Sequence, residues 1–132
     1  MDTNVLVDAA TPESAWGAWS LAILERLANQ TVLVINPLIY AELSVVYDSI
    51  EAIEDAVPRE LFQRDDLPYE VAFLAAKAFL EYRRRGGTRR SPLPDFYIGA
   101  HAVVAGYSLL TRDDARYKTY FPTLELIAPP PS

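Results

Sequence analysis

Apolar positions along the chain recur with two periods, and the switching between them outlines alternating helices and short strands. In "TPESAWGAWSLAILERLANQ" Thr11 stands as an N-cap and Pro12 at the first helical position, and Trp16, Trp19, Ser20, Ile23 and Leu27 follow at helical spacing. "TVLVI" is a short β-branched run that reads as a buried strand. Asn36-Pro37 then caps and opens a helix over "PLIYAELSVVYDSI". The acidic middle predicts one or two helices broken near Pro58 and Pro68. "LPYEVAFLAAKAFLEYRRRGG" predicts a long helix that ends in cations and Gly-Gly. "LPDFYIGAHAVVAG" predicts another, with Gly106 at its end; "YSLLT" and "TLELIA" read as strands on either side of a helical or looped "RDDARYKTYF". Strands alternating with helices imply a parallel sheet covered on both faces: an α/β fold, a three-layer α/β/α sandwich with a central parallel sheet. A single domain spans residues 1–128, and "APPPS" runs into a Pro-rich tail at 129–132.

Composition narrows this picture. At 132 residues and 51% apolar content, the chain has enough material for one hydrophobic core. It has no cysteine, which removes disulfides and thiolate metal sites. No apolar stretch approaches the roughly 18–20 residues of a membrane span, and no basic-then-apolar leader opens the chain. These features give the expectation of a soluble, cytoplasmic protein. The net charge of −6 argues against nonspecific nucleic-acid binding over the whole surface. The exception is "YRRRGGTRRSP", which gathers Arg83, Arg84, Arg85, Arg89 and Arg90 into a local basic strip.

In open parallel sheets ligands bind beyond the carboxyl ends of the strands, so acids at element boundaries matter most. Asp2 opens the stretch "DTNVLVD", which suits a turn, a helix cap or one corner of an acidic metal site. Asp113, with Asp114 beside it, directly follows the strand "SLLT". Asp95 begins a helix after the loop "SPLP", where capping is the plain alternative. Glu42 sits among Leu38, Ile39, Leu43 and Val46 at helical spacing, on or beside an apolar face. An ionised carboxylate there needs a partner, which an arginine or a divalent cation would supply.

Taken together, "DTNVL", the Glu of "NPLIYAEL", "LPDFYIGAHA" and "LLTRD" occur in the order and spacing of a PIN-domain protein. More narrowly, the chain resembles VapC-type toxins of bacterial type II toxin–antitoxin systems, over nearly its whole length. The resemblance implies a metal-dependent endoribonuclease whose acids Asp2, Glu42, Asp95 and Asp113 hold one or two Mg²⁺ or Mn²⁺ ions. It matches Thr111 to a hydroxyl beside the site and Asn4 to a residue that steadies the first loop. Asp114 is an extra acid, leaving two candidates for the fourth position. The implied chemistry is in-line hydrolysis of RNA by metal-activated water, leaving a 5′-phosphate and a 3′-hydroxyl. Hard cations of this kind take oxygen ligands, so the lack of cysteine is no obstacle. The implied partners are an RNA substrate, a cognate antitoxin that brings an arginine to the acids, and a second copy in a homodimer. One departure from the family is that Met1 alone precedes Asp2. The first strand is expected to be very short, or the recorded start to lie downstream of the true one, with Asp2 the most mobile of the four acids.

The remaining features have plain alternatives. Arg83, Arg84, Arg85, Arg89 and Arg90 suit an RNA backbone or a cation-rich helix terminus, and Arg112, Arg116 and Lys118 suit phosphates or neighbouring carboxylates. His101, the single histidine, is expected to be structural or exposed rather than catalytic, and Trp16 and Trp19 to pack in the core. No Walker loop, dinucleotide fingerprint or Ser-His-Asp set is present. The rival readings are a non-cleaving PIN-like RNA- or protein-binding module, a housekeeping RNA-processing nuclease, and another phosphoryl-transfer enzyme. A response-regulator-like receiver would need an aspartate where "VLVIN" ends in Asn36.

Overall fold

A computed structural model describes residues 1–11, 13–87 and 93–130. The chain runs α1 (Thr3–Ala9), α2 (Gly17–Ala28), β1 (Leu33–Ile35), α3 (Pro37–Val46), α4 (Ile50–Ala56) and β2 (Phe62–Arg64). It continues through α5 (Tyr69–Arg84), α6 (Leu93–Ala105), β3 (Leu109–Leu110), α7 (Ala115–Tyr120) and β4 (Leu126–Ile127).

Several boundaries follow directly from local chemistry. The Asn36 side chain accepts from the Ile39 N–H at 3.0 Å, and Pro37 opens α3 with a preset φ. Ser49 accepts from the Ala52 N–H at 3.1 Å, so α3 ends at Val46 and a new helix begins, where the sequence predicted one helix to Ile50. The expected cap at Thr11 is overturned. The Thr11 hydroxyl donates back to the Val7 carbonyl and its N–H bonds Asp8, so Thr11 closes α1, and α2 starts only at Gly17. Pro12 lies outside the described residues. The strand β2 was not foreseen, because three residues of mixed polarity, Phe-Gln-Arg, carry almost no period of their own. It forms because β1 offers a partner, pairing Leu33 with Phe62 and Ile35 with Arg64.

All strand pairing among the described residues is parallel, as expected, in two short pieces, β1–β2 and β3–β4. The N-terminal residues bridge them. The Met1 ammonium donates to the Val34 carbonyl at 3.3 Å, and the Asp2 N–H donates to the Leu110 carbonyl at 2.8 Å. Two residues thus occupy the centre of the sheet, where the sequence predicted a very short first strand. A cavity of about 400 Å³ extends beside Met1 between β1 and β3, bordered by Val34, Ile98, His101 and Leu110.

Helices close the core around this frame: α5 packs on α6, and α1 on α2 and α3. An aromatic cluster of Phe79, Tyr82, Phe96, Tyr120 and Phe121 locks α5, α6 and α7 together, with centroids 5.4–6.5 Å apart. Gly99 permits that closeness, since a Cβ there would stand 2.5 Å from the Phe121 ring. Of the two tryptophans only Trp19 packs against the core; Trp16 is 39% exposed, because α2 begins after it. His101 is enclosed rather than exposed. It is buried, its Nδ1 lies 3.0 Å from the Asn36 amide, and Asp65 stands beside its Nε2.

The amino terminus predicts how stability follows pH. Loss of solvation lowers the Met1 ammonium to about 6, against the nearby Asp2 charge, and burial also lowers His101. Both are bases with depressed pKa, so the unfolded chain binds more protons and stability rises with pH. For this chain with Met1 unblocked, the unfolding free energy should rise by roughly 1–3 kcal/mol between pH 6 and 8. Urea titrations across that range read it, and Nα-acetylation should flatten the slope.

Candidate metal centre

Asp2 sits at the N-cap of α1, yet its side chain caps nothing. Its Oδ2 instead accepts hydrogen bonds from the Thr111 hydroxyl and the Tyr117 phenol, each at 2.9 Å. At 6% exposure it is buried, contrary to the expected mobility, because it is gripped from β3's end and from α7. Thr111 is fully buried; its Oγ1 also accepts from the Asp113 N–H at 3.1 Å, which sets the turn leaving β3. Asn4 joins that turn to α1, its Oδ1 accepting from the Arg112 N–H at 3.3 Å.

Glu42 projects from the middle of α3, half-buried, and accepts from the Thr3 hydroxyl at 2.6 Å. Asp95 lies in the first turn of α6 and pairs with Arg116 of α7. Asp2, Glu42, Asp95 and Asp113 line one cavity of about 370 Å³ together with Thr3, Asn4, Asp8, Arg112, Arg116 and Tyr117. Asp114 is not among the lining residues. It faces Lys118, whose ammonium lies 2.8 Å away and holds its carboxyl below the usual range.

Five carboxylates and two guanidinium groups therefore meet in one cavity. Asp95 shows the strain of that crowding. Burial chiefly, then the charge of Asp2, push it up to about 6 against the pull of Arg116, with Glu42 and Asp113 adding repulsion. The Tyr117 phenol is pushed up as well, by burial first and then by Asp2 and Asp95. In both, part of the shift, after burial, comes from neighbouring carboxylates, whose charge a cation would offset. The donor set is all oxygen, which suits Mg²⁺ or Mn²⁺. As they stand, no three His, Cys, Asp or Glu side chains among the described residues are close enough to hold an ion. Three of the four acids are already held by partners of their own: Asp2 by Thr111 and Tyr117, Glu42 by Thr3, Asp95 by Arg116. The donor chemistry fits a divalent cation, and the spacing would have to close around one.

The sequence reading missed Thr3, Asp8 and Tyr117. Asp8 lies one turn after Asn4 on α1 and pairs with Arg112 at 2.6 Å, a spacing that would have been legible had "TNVLVDA" been read as a helix. Tyr117 gave no signal, since its role depends on α7 folding back onto Asp2. Of the arginine strip, Arg83, Arg84 and Arg85 sit exposed in and just beyond the last turn of α5, and none of them lines the cavity. Arg85 pairs with Glu81 and lies over Tyr120, while Arg83 lies over Phe79. Arg89 and Arg90 lie outside the described residues.

A mixed α/β fold with short parallel strands, and acids gathered where Asp2, β3 and α3 converge, define a carboxylate-centred class of domain. The PIN domain family matches residues 1–122, and the chain belongs to that family. Its fold is similar to the VapBC2 complex of Rickettsia felis, solved on a DNA fragment from its promoter, with 20% identity and a TM-score of 0.70. That match covers 96% of this chain and 95% of the other. FitAcB of Neisseria gonorrhoeae is similar at 19% identity and a TM-score of 0.67, over 95% and 93% of the two chains. No curated protein matches the sequence.

Removing the phenol of Tyr117 tests the grip on Asp2. Tyr117→Phe should cost about 1.5–3 kcal/mol, the worth of a buried hydrogen bond to a charged group. Thermal or urea unfolding of the variant against the parent measures it.

Proposed function

We propose that the protein is a divalent-metal-dependent endoribonuclease, the toxin of a type II toxin–antitoxin pair, acting in the cytoplasm on an RNA substrate. The observation that carries this reading is the meeting of Asp2, Glu42, Asp95 and Asp113 in one cavity from four distant parts of the chain. Membership of the PIN family supports it, because PIN domains are generally nucleases. The likeness to VapBC2 of Rickettsia felis supports an antitoxin partner, and a homodimer is the assembly expected with it. Among the described residues no helix is long and apolar enough to cross a membrane.

In this reading Asp2, Glu42, Asp95 and Asp113 hold one or two Mg²⁺ or Mn²⁺ ions. When bound, such an ion supplies a more acidic water and offsets charge developing on the phosphate. The chain's own residues do the rest. Thr111 and Tyr117 fix the Asp2 carboxylate from two sides, so one ligand is held in place before any ion arrives. Thr111 also holds the backbone at Asp113, coupling the fourth acid to the first. Asn4 fastens the same turn to α1. Asp114, turned to Lys118, stays outside the ligand set. Arg112, which lines the cavity beside Asp113, is the arginine best placed to meet an RNA phosphate. Arg83, Arg84 and Arg85, exposed at the end of α5, are further candidates for the RNA backbone, as are Arg89 and Arg90 on the sequence alone.

Purified protein free of any partner should cleave a mixed tRNA and rRNA substrate with Mg²⁺ or Mn²⁺ and lose that cleavage in EDTA. Asp95→Asn should abolish it. Cleavage by Asp95→Asn at the parent's rate would contradict the assignment. Absence of cleavage under either metal would turn the reading toward a binding module.

A further inference from the structure

Two arginines enter the acidic cavity, and they are held differently. Arg112 pairs with Asp8, which is not among the four acids assigned to the metal. Arg116 pairs through Nη1 with Oδ2 of Asp95, which is one of them. The Arg116 side chain is only 15% exposed. Its guanidinium lies over the Tyr82 and Phe96 rings, with the central carbon 5.6 and 5.9 Å from their centroids. These rings belong to the cluster that joins α5, α6 and α7, so the seat is rigid and is built by three elements.

We propose that Arg116 is a built-in competitor of the divalent cation: it occupies the Asp95 carboxylate when the site is empty and must release it when an ion binds. The inference rests on the metal-site reading above. Without an ion, Asp95 would be a half-buried carboxylate facing three other acids, and a guanidinium is the most direct way to offset that repulsion. One carboxylate oxygen cannot satisfy a guanidinium and a hard cation equally well, so the two bind at each other's expense. The aromatic seat limits the cost of release. Once Asp95 is given up, the charge still rests on two ring faces beside the cavity. Arg116 thereby acts as a positioning residue. It keeps the acids from collapsing onto other cations, and it sets how much free metal the site requires.

The competition predicts a change opposite in sign to simple damage. Isothermal titration of the partner-free protein with Mn²⁺ should show Arg116→Gln binding the ion more tightly than the parent, by roughly fivefold or more. Arg116→Met keeps the alkyl stem against the rings without the charge; it should behave alike and serves if the glutamine variant does not fold. Arg112→Gln removes the same charge from the same cavity without freeing Asp95, and should tighten binding distinctly less. Unchanged or weaker binding in both Arg116 variants, with the parent still binding, would overturn the competition while leaving the metal site intact. Equal tightening by Arg112→Gln and Arg116→Gln would also overturn it, reducing the effect to the general field. If neither the parent nor any variant binds Mn²⁺ at millimolar concentration, the metal-site reading fails and this inference fails with it.

Discussion

The arrangement hangs on one buried carboxylate. Asp2 sits in the centre of the sheet with its N–H on the Leu110 carbonyl, while its Oδ2 takes the hydroxyls of Thr111 and Tyr117. An ionised group so enclosed is tolerated only where donors replace the lost water. Those donors come from positions 109 and 115 residues away along the chain. Satisfying Asp2 therefore draws the turn after β3 and the whole of α7 onto the N-terminal segment. The same requirement fixes α1, which starts directly after Asp2 and brings Thr3 to Glu42 and Asn4 to the Arg112 backbone. The sheet gains its continuity from the same two residues, since Met1 and Asp2 are what link β1 to β3.

Electrostatics then determines what the converged site can do. Five carboxylates in one cavity repel one another, and the fold answers with local partners for four of them rather than with a compact cluster. Hydroxyls serve Asp2 and Glu42, and guanidiniums serve Asp8 and Asp95. Hydroxyl partners leave a carboxylate its charge and most of its lone pairs, whereas an arginine neutralises it. In the proposed metal site Asp2 and Glu42 would thus remain open to a hard cation, while Asp95 would have to be released by Arg116 first. Under the proposed metal site, such a division would let one cavity attract an ion and still be stable without one.

Much of this was legible in the sequence, and the gaps have physical causes. Asn36-Pro37 announced α3 because capping chemistry is local, and the parallel sheet was legible from the alternation of helices and apolar runs. Asp2, Glu42, Asp95 and Asp113 stood out as acids beside apolar runs, and the order of their motifs matched a family pattern. The site lines one cavity through contacts that no window of the sequence contains. β2 was hidden because its pairing with Leu33–Ile35, not its own composition, makes it a strand. Thr11 misled because a hydroxyl that caps one helix can equally close the helix before it. Tyr117 was silent for a similar reason, since its partner Asp2 lies on another element, and for Arg116 the sequence left open whether it meets a phosphate or a carboxylate until the fold brought Asp95 to it.

If these acids form a site for a divalent cation, the ion itself can be located. Diffraction from crystals soaked in Mn²⁺, with data collected to exploit manganese anomalous scattering, tests it most directly. The expected result is an anomalous peak bounded by carboxylate oxygens of Asp2, Asp95 and at least one of Glu42 and Asp113, with Asp114 still turned to Lys118. A fully soaked crystal showing no peak in that cavity, or manganese bound only at surface carboxylates elsewhere, would contradict it.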